Sequence, residues 1–319
     1  MRWIKRAALG LSVLLAVVLA ARYLPGRRPP MPARFEVIAH RGIHQASAVN
    51  VGMHGCTAEE IRPPEHRFIE NTLPSMAAAF DHGATMVEID IHTTADGGMI
   101  VFHDWTVDCR TEGRGETQTL TVPYLKSLDV GHGYGVTVNG VKTYPFRGSG
   151  IGMMPTLQEV LDRFPDRSFL LNQKDGSEDT LTALARILEG YPQEQRRRLY
   201  YTGPLPERVH TVLPGIGGVL HGRRQLVQCF KRFVWTFGFG RLPDACRDGD
   251  LTLPTWGTRY IWGWPHRFLS NAHDSGSRVF FYVNRPDEGA QALALPVDGV
   301  VTDRIEVIGP WLRASGRIP

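Results

Sequence analysis

Residues 85–104, TMVEIDIHTTADGGMIVFHD, constrain the fold of this 319-residue chain more than any other stretch. They predict two short apolar strands joined by a turn at residues 95–98, where glycines accept positive φ at little steric cost. Alternate residues of a strand share a face, so Glu88 and Asp90 project together, about 7 Å apart along the chain. The second strand ends at His103. Paired carboxylates beside a histidine at a strand end predict a metal site next to a proton-transfer group.

Each of these features alone also has a simpler explanation. Paired acids on a strand often mark a solvated edge, and a His-Asp pair such as His103-Asp104 is often a surface hydrogen bond. The rest of the chain decides between these explanations, because other apolar runs also end in polar residues.

An α/β alternation continues through the chain. It predicts eight strands, at residues 35–39, 86–91, 99–102, 168–171, 199–201, 250–253, 278–283 and 299–301, and leaves 215–239 unassigned. Eight strands alternating with helices predict an α/β fold of the TIM (β/α)₈ barrel type. Such barrels carry their active sites at the C-terminal ends of the strands. The polar residues at these predicted ends are His40, Glu88, Asp90, His103, Lys174 and Asp303.

Two long segments interrupt the alternation. Residues 43–68 are polar, and residues 108–154, a long insertion after the third predicted strand, are rich in glycine. Structureless loops of this length in compact domains tend to be functional. The second segment is interpreted as a substrate lid, with a surface embellishment as the alternative.

The first thirty residues predict a membrane anchor or a signal peptide with a proline-rich spacer, ahead of a body at 31–319. Lys5 and Arg6 precede an apolar run at 7–21, which lies between the usual lengths of a signal-peptide core and a spanning helix. We favour an uncleaved single-pass anchor, with the body outside the cytoplasm. The alternative is a secreted or periplasmic protein after cleavage.

Charge argues against a nucleic-acid partner. Six of the 36 Lys and Arg residues lie in the first thirty positions, which leaves 30 against 32 Asp and Glu in the body. Phosphate-backbone binding requires a basic surface on the body itself.

The four cysteines predict disulfides, because none forms a C-x-x-C pattern and the compartment would be oxidising. Three connectivities are possible for four cysteines. We favour Cys56–Cys109 with Cys229–Cys246, because the loops of the first pair should lie at the same end of the fold.

Five motifs in order resemble the glycerophosphodiester phosphodiesterase family. They are H-R-G at 40–42, E-N-T at 70–72, E-x-D at 88–90, H-D at 103–104 and D-x-R-T-x-G-x-G at 108–115, and Lys174 and V-T-D at 301–303 extend the match. The resemblance implies a TIM-type barrel that uses a divalent cation, Mg²⁺ or Ca²⁺, to split glycerophosphodiesters into glycerol 3-phosphate and an alcohol.

The same resemblance implies roles for individual residues. His40 and His103 would be the general acid and base, and Arg41 and Lys174 would contact the phosphate. The metal would be bound by Glu88, Asp90, Glu70 and Asn172. Asn172 stands where the family usually has glutamate, and an amide oxygen can coordinate these cations but brings no charge.

Two other functions stay open. One is a lysophospholipase D acting on a lipid with a single acyl chain, and the other is a non-catalytic barrel that binds phosphate or lipid. The aromatic cluster Trp256, Tyr260, Trp262 and Trp264 would either line an acyl groove or pack in the core, which we favour.

Nine of the ten remaining histidines divide into two groups. His44, His54 and His66 lie on the segment at 43–68, near the candidate site, and we interpret six others as structural: His82, His132, His210, His221, His266 and His273.

Overall fold

The computed structural model describes residues 2–24, 26–49 and 55–318. The helices are α1 (Arg2–Tyr23), α2 (Leu73–Asp81), α3 (Val122–Ser127), α4 (Leu157–Arg163), α5 (Glu178–Glu189), α6 (Gln193–Arg196), α7 (Pro206–Val212), α8 (Arg223–Phe233), α9 (His266–Asp274), α10 (Pro286–Leu293) and α11 (Ile305–Ala314). The strands are β1 (Glu36–His40), β2 (Met86–Thr93), β3 (Met99–Val101), β4 (Val136–Val138), β5 (Val141–Thr143), β6 (Ser168–Gln173), β7 (Leu199–Thr202), β8 (Gly218–Val219), β9 (Leu251–Pro254), β10 (Val279–Tyr282) and β11 (Gly299–Thr302).

The chain divides into two compact units. The larger comprises Glu36–Val219 and Thr302–Pro319, and the smaller comprises Met1–Phe35 and Leu220–Val301. In the larger unit, five parallel strands pair in the order β8-β7-β6-β2-β1. The strands β2 and β6 are buried along most of their length, as parallel strands covered on both faces are.

The third predicted strand was assigned the wrong role. β3 pairs with β2 in an antiparallel hairpin and lies off the path of the parallel strands. Only a short turn separates the two strands, whereas a parallel pair needs a crossover of a dozen or more residues. The parallel strand missing from the prediction is β8, within the unassigned region 215–239.

Helix α2 illustrates how local sequence fixes an element beside the candidate site. Thr72 caps it, accepting a hydrogen bond from the Ser75 backbone N–H, while the Ser75 hydroxyl completes a capping box. Pro74 lies in the first turn, where its missing N–H costs nothing. Thr72, the last residue of the E-N-T triplet, therefore fixes where α2 begins.

The segments 43–68 and 108–154 pack together on a shared apolar core within the larger unit. Its buried members are Ala58, Ile61, Ile69, Ile100, Phe102, Val107, Leu125, Leu128, Val130, Tyr134, Val136, Phe146 and Met154. The disulfide Cys56–Cys109 joins the two segments, and Cys229–Cys246 lies in the smaller unit, so the favoured pairing is confirmed. Residues 108–154 therefore contain an ordered layer with α3, β4 and β5.

The smaller unit contains three parallel strands in the order β9-β10-β11. Its helix α1 is long and apolar enough to cross a membrane, with a mean hydropathy of 2.0 over Trp3–Tyr23.

The aromatic cluster, for which core packing was favoured, is divided in this unit. Trp264 is half-buried and stacks on the buried Phe281, whereas Trp256 and Tyr260 are 71% and 67% exposed. Core packing is therefore wrong for these two residues.

Candidate active site

The ends of three neighbouring parallel strands bring the predicted residues together. In the register of β1 and β2, His40 lies opposite Glu88. In the register of β2 and β6, Asp90 lies opposite Asn172. Alternation along β2 places both acids on one face, as the sequence predicts. Lys174 follows β6 directly, and its Nζ lies 3.3 Å from Asp90 Oδ1.

The two carboxylates of β2 are buried and share one amide. The Asn172 side-chain Nδ2 donates to Glu88 Oε1 at 2.8 Å and to Asp90 Oδ1 at 3.0 Å. Burial, followed by the charge of Asp90, raises the pKa of Glu88. Burial opposes ionisation of Asp90 as well, but Lys174 and Arg41 outweigh it and hold the pKa of Asp90 well below its usual value. The neighbouring cations therefore stabilise the ionised form of Asp90, whereas they do not fully offset burial and the Asp90 charge at Glu88.

The H-R-G triplet forms a tight turn against the start of α2. Arg41 adopts a φ of 61° and Gly42 a φ of 76°. A Cβ on Gly42 would lie 2.6 Å from the Ser75 hydroxyl and 2.9 Å from its backbone carbon, so the position requires glycine. The turn directs the Arg41 backbone N–H to the Glu88 carbonyl at 2.9 Å. This positive-φ turn thereby places the Arg41 guanidinium beside Glu70 and Asp90.

The E-N-T triplet supplies three separate contacts. Glu70 pairs with Arg41 at 3.0 Å and with Arg110 at 3.0 Å, and these two guanidinium groups outweigh burial and lower the pKa of Glu70. Asn71, at a φ of 57°, donates to Asp90 Oδ2 at 2.9 Å. Sequence reasoning gave Asn71 no role, although the triplet contains it.

His40 is held by a carboxylate at one ring nitrogen. Its Nδ1 lies 2.6 Å from Asp303 Oδ1, and its Nε2 lies 3.8 Å from Glu88 Oε2. Burial and Arg41 both act to lower the pKa of His40, but Glu88 and Asp303 outweigh them and raise it.

His44 lies beside this pair, with its Nε2 3.7 Å from Asp303 Oδ1, and burial lowers the pKa of His44. The ligand atoms of His40, His44 and Asp303 lie close enough to hold a metal ion, but the His40–Asp303 hydrogen bond already occupies two of them.

His103 is also held by a carboxylate at Nδ1, but its pKa shifts in the opposite direction from that of His40. Its Nδ1 lies 2.5 Å from Asp104 Oδ1, and burial lowers the pKa of His103 despite the opposing charges of Asp90 and Asp104. Asp104 in turn accepts a hydrogen bond from Arg110 Nε at 2.8 Å.

Arg110 connects the histidine partner to the rest of the site. Its side chain is 2% exposed and also donates to the Tyr134 hydroxyl at 2.7 Å and to Thr57 at 2.6 Å. Sequence reasoning missed this role, although Arg110 belongs to the D-x-R-T-x-G-x-G motif.

His92 is a second residue that sequence reasoning missed. It follows Asp90 by two positions on the same face of β2, and it is fully buried. Its ring stacks edge-on against Trp105, with the centroids 5.8 Å apart. Burial lowers the pKa of His92 to about 4, so the ring is neutral at physiological pH. Its spacing of two residues from Asp90 could have placed His92 on the same face of the strand from sequence alone.

The other candidate histidines have ordinary partners or lie outside the described residues. His66 Nδ1 accepts a hydrogen bond from the Gln45 side-chain amide at 2.9 Å, and His273 pairs with Asp298 at 2.9 Å. His54 falls outside the residues that the structure describes.

The donor set fits a divalent cation. Glu88 and Asp90 offer oxygen atoms, which are the ligands that Mg²⁺ and Ca²⁺ prefer. Ligation by the Asn172 oxygen would require its amide to turn over, because Nδ2 now faces both carboxylates. A cation beside Glu88 would offset the burial and the Asp90 charge that raise the pKa of Glu88. Ligation by Glu70 would require one of its two arginine pairs to open.

Comparisons with known proteins identify the family of this chain. The model of the Glycerophosphoryl diester phosphodiesterase family matches residues 57–187. The Bacillus subtilis protein provisionally named glycerophosphodiester phosphodiesterase YhdW is 33% identical over 253 residues, 73% of this chain and 88% of that protein. A glycerophosphodiester phosphodiesterase of Caldanaerobacter subterraneus is 35% identical over 103 residues, 32% of this chain. The chain matches only 38% of the length of that relative.

Solved structures share the fold. The glycerophosphoryl diester phosphodiesterase domain of a Mycobacterium tuberculosis protein matches with a TM-score of 0.65 and 17% identity, covering 87% of this chain and 99% of that one. An Oleispira antarctica phosphodiesterase, solved with its product sn-glycerol-3-phosphate, matches with a TM-score of 0.60 and 19% identity, covering 89% and 97%. These likenesses confirm the predicted α/β fold of TIM-barrel type. The chain belongs to the glycerophosphoryl diester phosphodiesterase family, a family of phosphoric diester hydrolases.

Proposed function

We propose that this protein is a metal-dependent glycerophosphodiester phosphodiesterase that releases glycerol 3-phosphate and an alcohol. The observation that carries the proposal is a pair of histidines, each held at Nδ1 by a carboxylate. Asp303 holds His40 and Asp104 holds His103, beside the Glu88 and Asp90 carboxylates. In this proposal Nε2 of each imidazole is the atom that exchanges a proton with the substrate, as general acid–base catalysis requires.

The histidines take opposite roles in this proposal. His40, whose environment favours the protonated ring, gives a proton to the leaving alcohol oxygen. His103, whose environment favours the neutral ring, takes a proton from the nucleophile. That nucleophile is water or the glycerol 2-hydroxyl, which would form a cyclic phosphate first. Each transfer contributes roughly 10²–10⁴-fold to the rate.

The remaining site residues bind the cation and the phosphate. Glu88, Asp90 and Asn172 would hold Mg²⁺ or Ca²⁺, with Glu70 as a further candidate ligand, and the bound cation would neutralise charge on the phosphoryl oxygens. Arg41 and Lys174 both lie against Asp90. Their positive charges would orient the phosphate and stabilise the charge that develops on it.

A small polar alcohol is the better leaving group for this site. A small pocket adjoins His44, next to His40, and the charged groups of Arg62, Glu65 and Arg304 line it. A polar lining of this kind suits a hydrophilic head group more than an acyl chain. Lysophospholipase D activity is the second candidate, favoured by the apolar helix α1, which would bring the enzyme to lipid.

The proposal includes a single-pass anchor at 1–30 and a body at 31–319 outside the cytoplasm. Retention of α1 is supported by Ala21, which is fully buried and accepts a hydrogen bond from the Gly263 N–H at 3.1 Å. Two disulfides support an oxidising compartment. Cleavage after Ala21 would remove this packed residue, and the secreted form that cleavage produces is the alternative.

A substrate panel tests the activity. The full chain in detergent is expected to release glycerol 3-phosphate from glycerophosphocholine with Mg²⁺ or Ca²⁺, to stop with chelator, and to be slower on lysophosphatidylcholine. Faster turnover of the lysolipid would favour the lysophospholipase D. No alcohol release from either substrate would favour the non-catalytic barrel.

His103→Ala tests the proton transfer. The variant is expected to stay folded and to lose about 10²–10⁴-fold in turnover. His210→Ala is the matched control, because His210 is exposed on α7 of the same unit. Equal rates for the two variants would remove His103 from the mechanism.

A further inference from the structure

The smaller unit exposes an unusual group of large apolar side chains, which we call the aromatic face. Its members and their exposed fractions are Trp235 (80%), Trp256 (71%), Tyr260 (67%), Val234 (52%) and Phe239 (40%). Isolated exposed apolar residues are normal, but contiguous ones mark interaction surfaces. The proposed reaction makes no use of any of them.

Contacts within the smaller unit connect this face to the C-terminal end of α1. The Ala21 carbonyl accepts hydrogen bonds from the Gly263 N–H and from Arg267, and Arg22 donates to the Arg259 carbonyl. Arg259 precedes Tyr260 and lies over its ring. The end of the apolar helix and this part of the face are therefore one packed structure.

The same contacts extend to the other half of the face. The Arg267 guanidinium lies 4.6 Å from the centroid of the Phe239 ring. The rings of Trp262 and Phe237 lie 5.8 Å apart, and Phe237 follows Trp235 by two residues. Trp235 and Phe239 thus belong to a loop packed beside the end of α1.

The surroundings of the aromatic face are basic. Residues 208–243 and 251–273 contain no Asp or Glu. The exposed cations in these ranges include Lys231 and Arg232 in the last turn of α8, and Arg241. The face therefore combines amphipathic aromatic rings with exposed cations from ranges of the chain that contain no acidic residue.

Helix α1 identifies the partner. Most of its side chains are exposed, with only 6% of the apolar window buried, whereas its end at Ala21 is packed. If α1 spans a bilayer, the headgroup region begins where the packed end begins. Tryptophan and tyrosine are enriched at that depth, and Lys and Arg near the surface are attracted to anionic lipid.

We propose that the aromatic face is a membrane-docking surface, which lies in the headgroup layer of the membrane that α1 spans and prefers anionic lipid. The inference rests on the proposed anchor. Docking would fix the orientation of the smaller unit against the bilayer through aromatic insertion and the charges of Lys231 and Arg232. A protein partner for the same face is the competing outcome.

Tryptophan quenching tests the contact. The full chain is reconstituted into phosphatidylcholine vesicles containing phosphatidylglycerol, with acyl chains brominated next to the headgroups. The double variant Trp235→Phe/Trp256→Phe is expected to lose a large part of the quenching. Trp105→Phe is the matched control and is expected to lose none, because Trp105 is 47% exposed on the other unit.

A charge variant tests the lipid preference. Quenching of the wild type is expected to increase when phosphatidylglycerol is added, and Lys231→Gln/Arg232→Gln is expected to lose this increase. Arg163→Gln/Arg186→Gln is the matched control, because these cations occupy the last turns of α4 and α5 in the larger unit.

The outcomes separate the docking surface from the anchor. Protein released from the vesicles by alkaline carbonate would contradict the anchor. Protein that resists carbonate, but whose quenching is the same with and without Trp235 and Trp256, would overturn the docking surface alone. Such unquenched indoles would leave the face to a protein partner.

Discussion

The two units of this protein use charge and aromatic surface in opposite ways. In the larger unit, Arg41, Glu70, Asp90 and Arg110 are buried and pair with one another. In the smaller unit, Trp235 and other large rings are exposed among solvated cations. A fixed network holds groups in place before a small substrate arrives, whereas exposed rings and long basic side chains adapt to a soft surface. Substitutions in the buried charge network of the larger unit should therefore change folding stability, whereas substitutions among the exposed rings of the smaller unit should change lipid binding.

Arg110→Met is the strongest test of the fixed network. Removal of the guanidinium leaves Glu70 and Asp104 without one of their partners, and breaking a buried ion pair costs about 3–5 kcal/mol. We expect a loss of this size in the free energy of unfolding, measured by chemical denaturation. Arg114→Met is the control, because its side chain is 81% exposed. Similar costs for both variants would show that the network does not stabilise the unit.

Asn172→Glu tests whether position 172 contributes a ligand to a bound cation. Without cation, a third buried carboxylate beside Glu88 and Asp90 should lower stability by about 1–3 kcal/mol. With Mg²⁺ or Ca²⁺ the added charge should bind the ion more tightly, so the rise in Tm on adding cation should exceed that of wild type. Asn172→Gln is the control, since it keeps the amide. An equal rise in Tm for wild type and both variants would argue against ligation at this position.

The strand ends were predictable from sequence because their signals are local. Alternation alone places Glu88 and Asp90 on one face, and the parallel register then aligns His40 with Glu88. β8 was missed because two residues, Gly218 and Val219, carry no periodicity. The antiparallel direction of β3 was available from its short turn, since parallel pairs need long crossovers.

The buried charge network and the aromatic face depend on contacts between residues far apart in sequence, which local sequence patterns do not reveal. Arg110 and Glu70 lie 40 positions apart, so nothing local pairs them. The partial burial of Trp264 and the exposure of Trp256 cannot be distinguished by composition, because both belong to the same aromatic stretch at residues 256–264. The cysteine pairing was predictable only because the loops were assigned to the same end of the fold.

Asp303→Asn tests whether His40 acts as the general acid. Asp303 and Glu88 raise the pKa of His40 against burial, so loss of the Asp303 charge should lower that pKa. His40 would then lose its proton at lower pH, and the alkaline limb of kcat/KM against pH should move down by about one unit. His44→Gln is a useful companion variant, because it leaves the Asp303 charge in place. An unmoved alkaline limb in Asp303→Asn would show that His40 is not the acid.

His273→Gln applies the same reasoning to the smaller unit, where the smallest effect is expected. The hydrogen bond to Asp298 raises the pKa of His273 above its usual 6.5, against burial. A raised folded-state pKa stabilises fully below pH 6.5, and the stabilisation disappears as pH rises through the raised pKa. The ring is 24% exposed, so we expect a loss below about 1 kcal/mol in acid and none in alkali. Denaturation midpoints at both pH values measure it, with His210→Gln as the control. A loss as large as that of Arg110→Met, or one that persists in alkali, would place a fixed charge network in the smaller unit as well and remove the contrast between the two units.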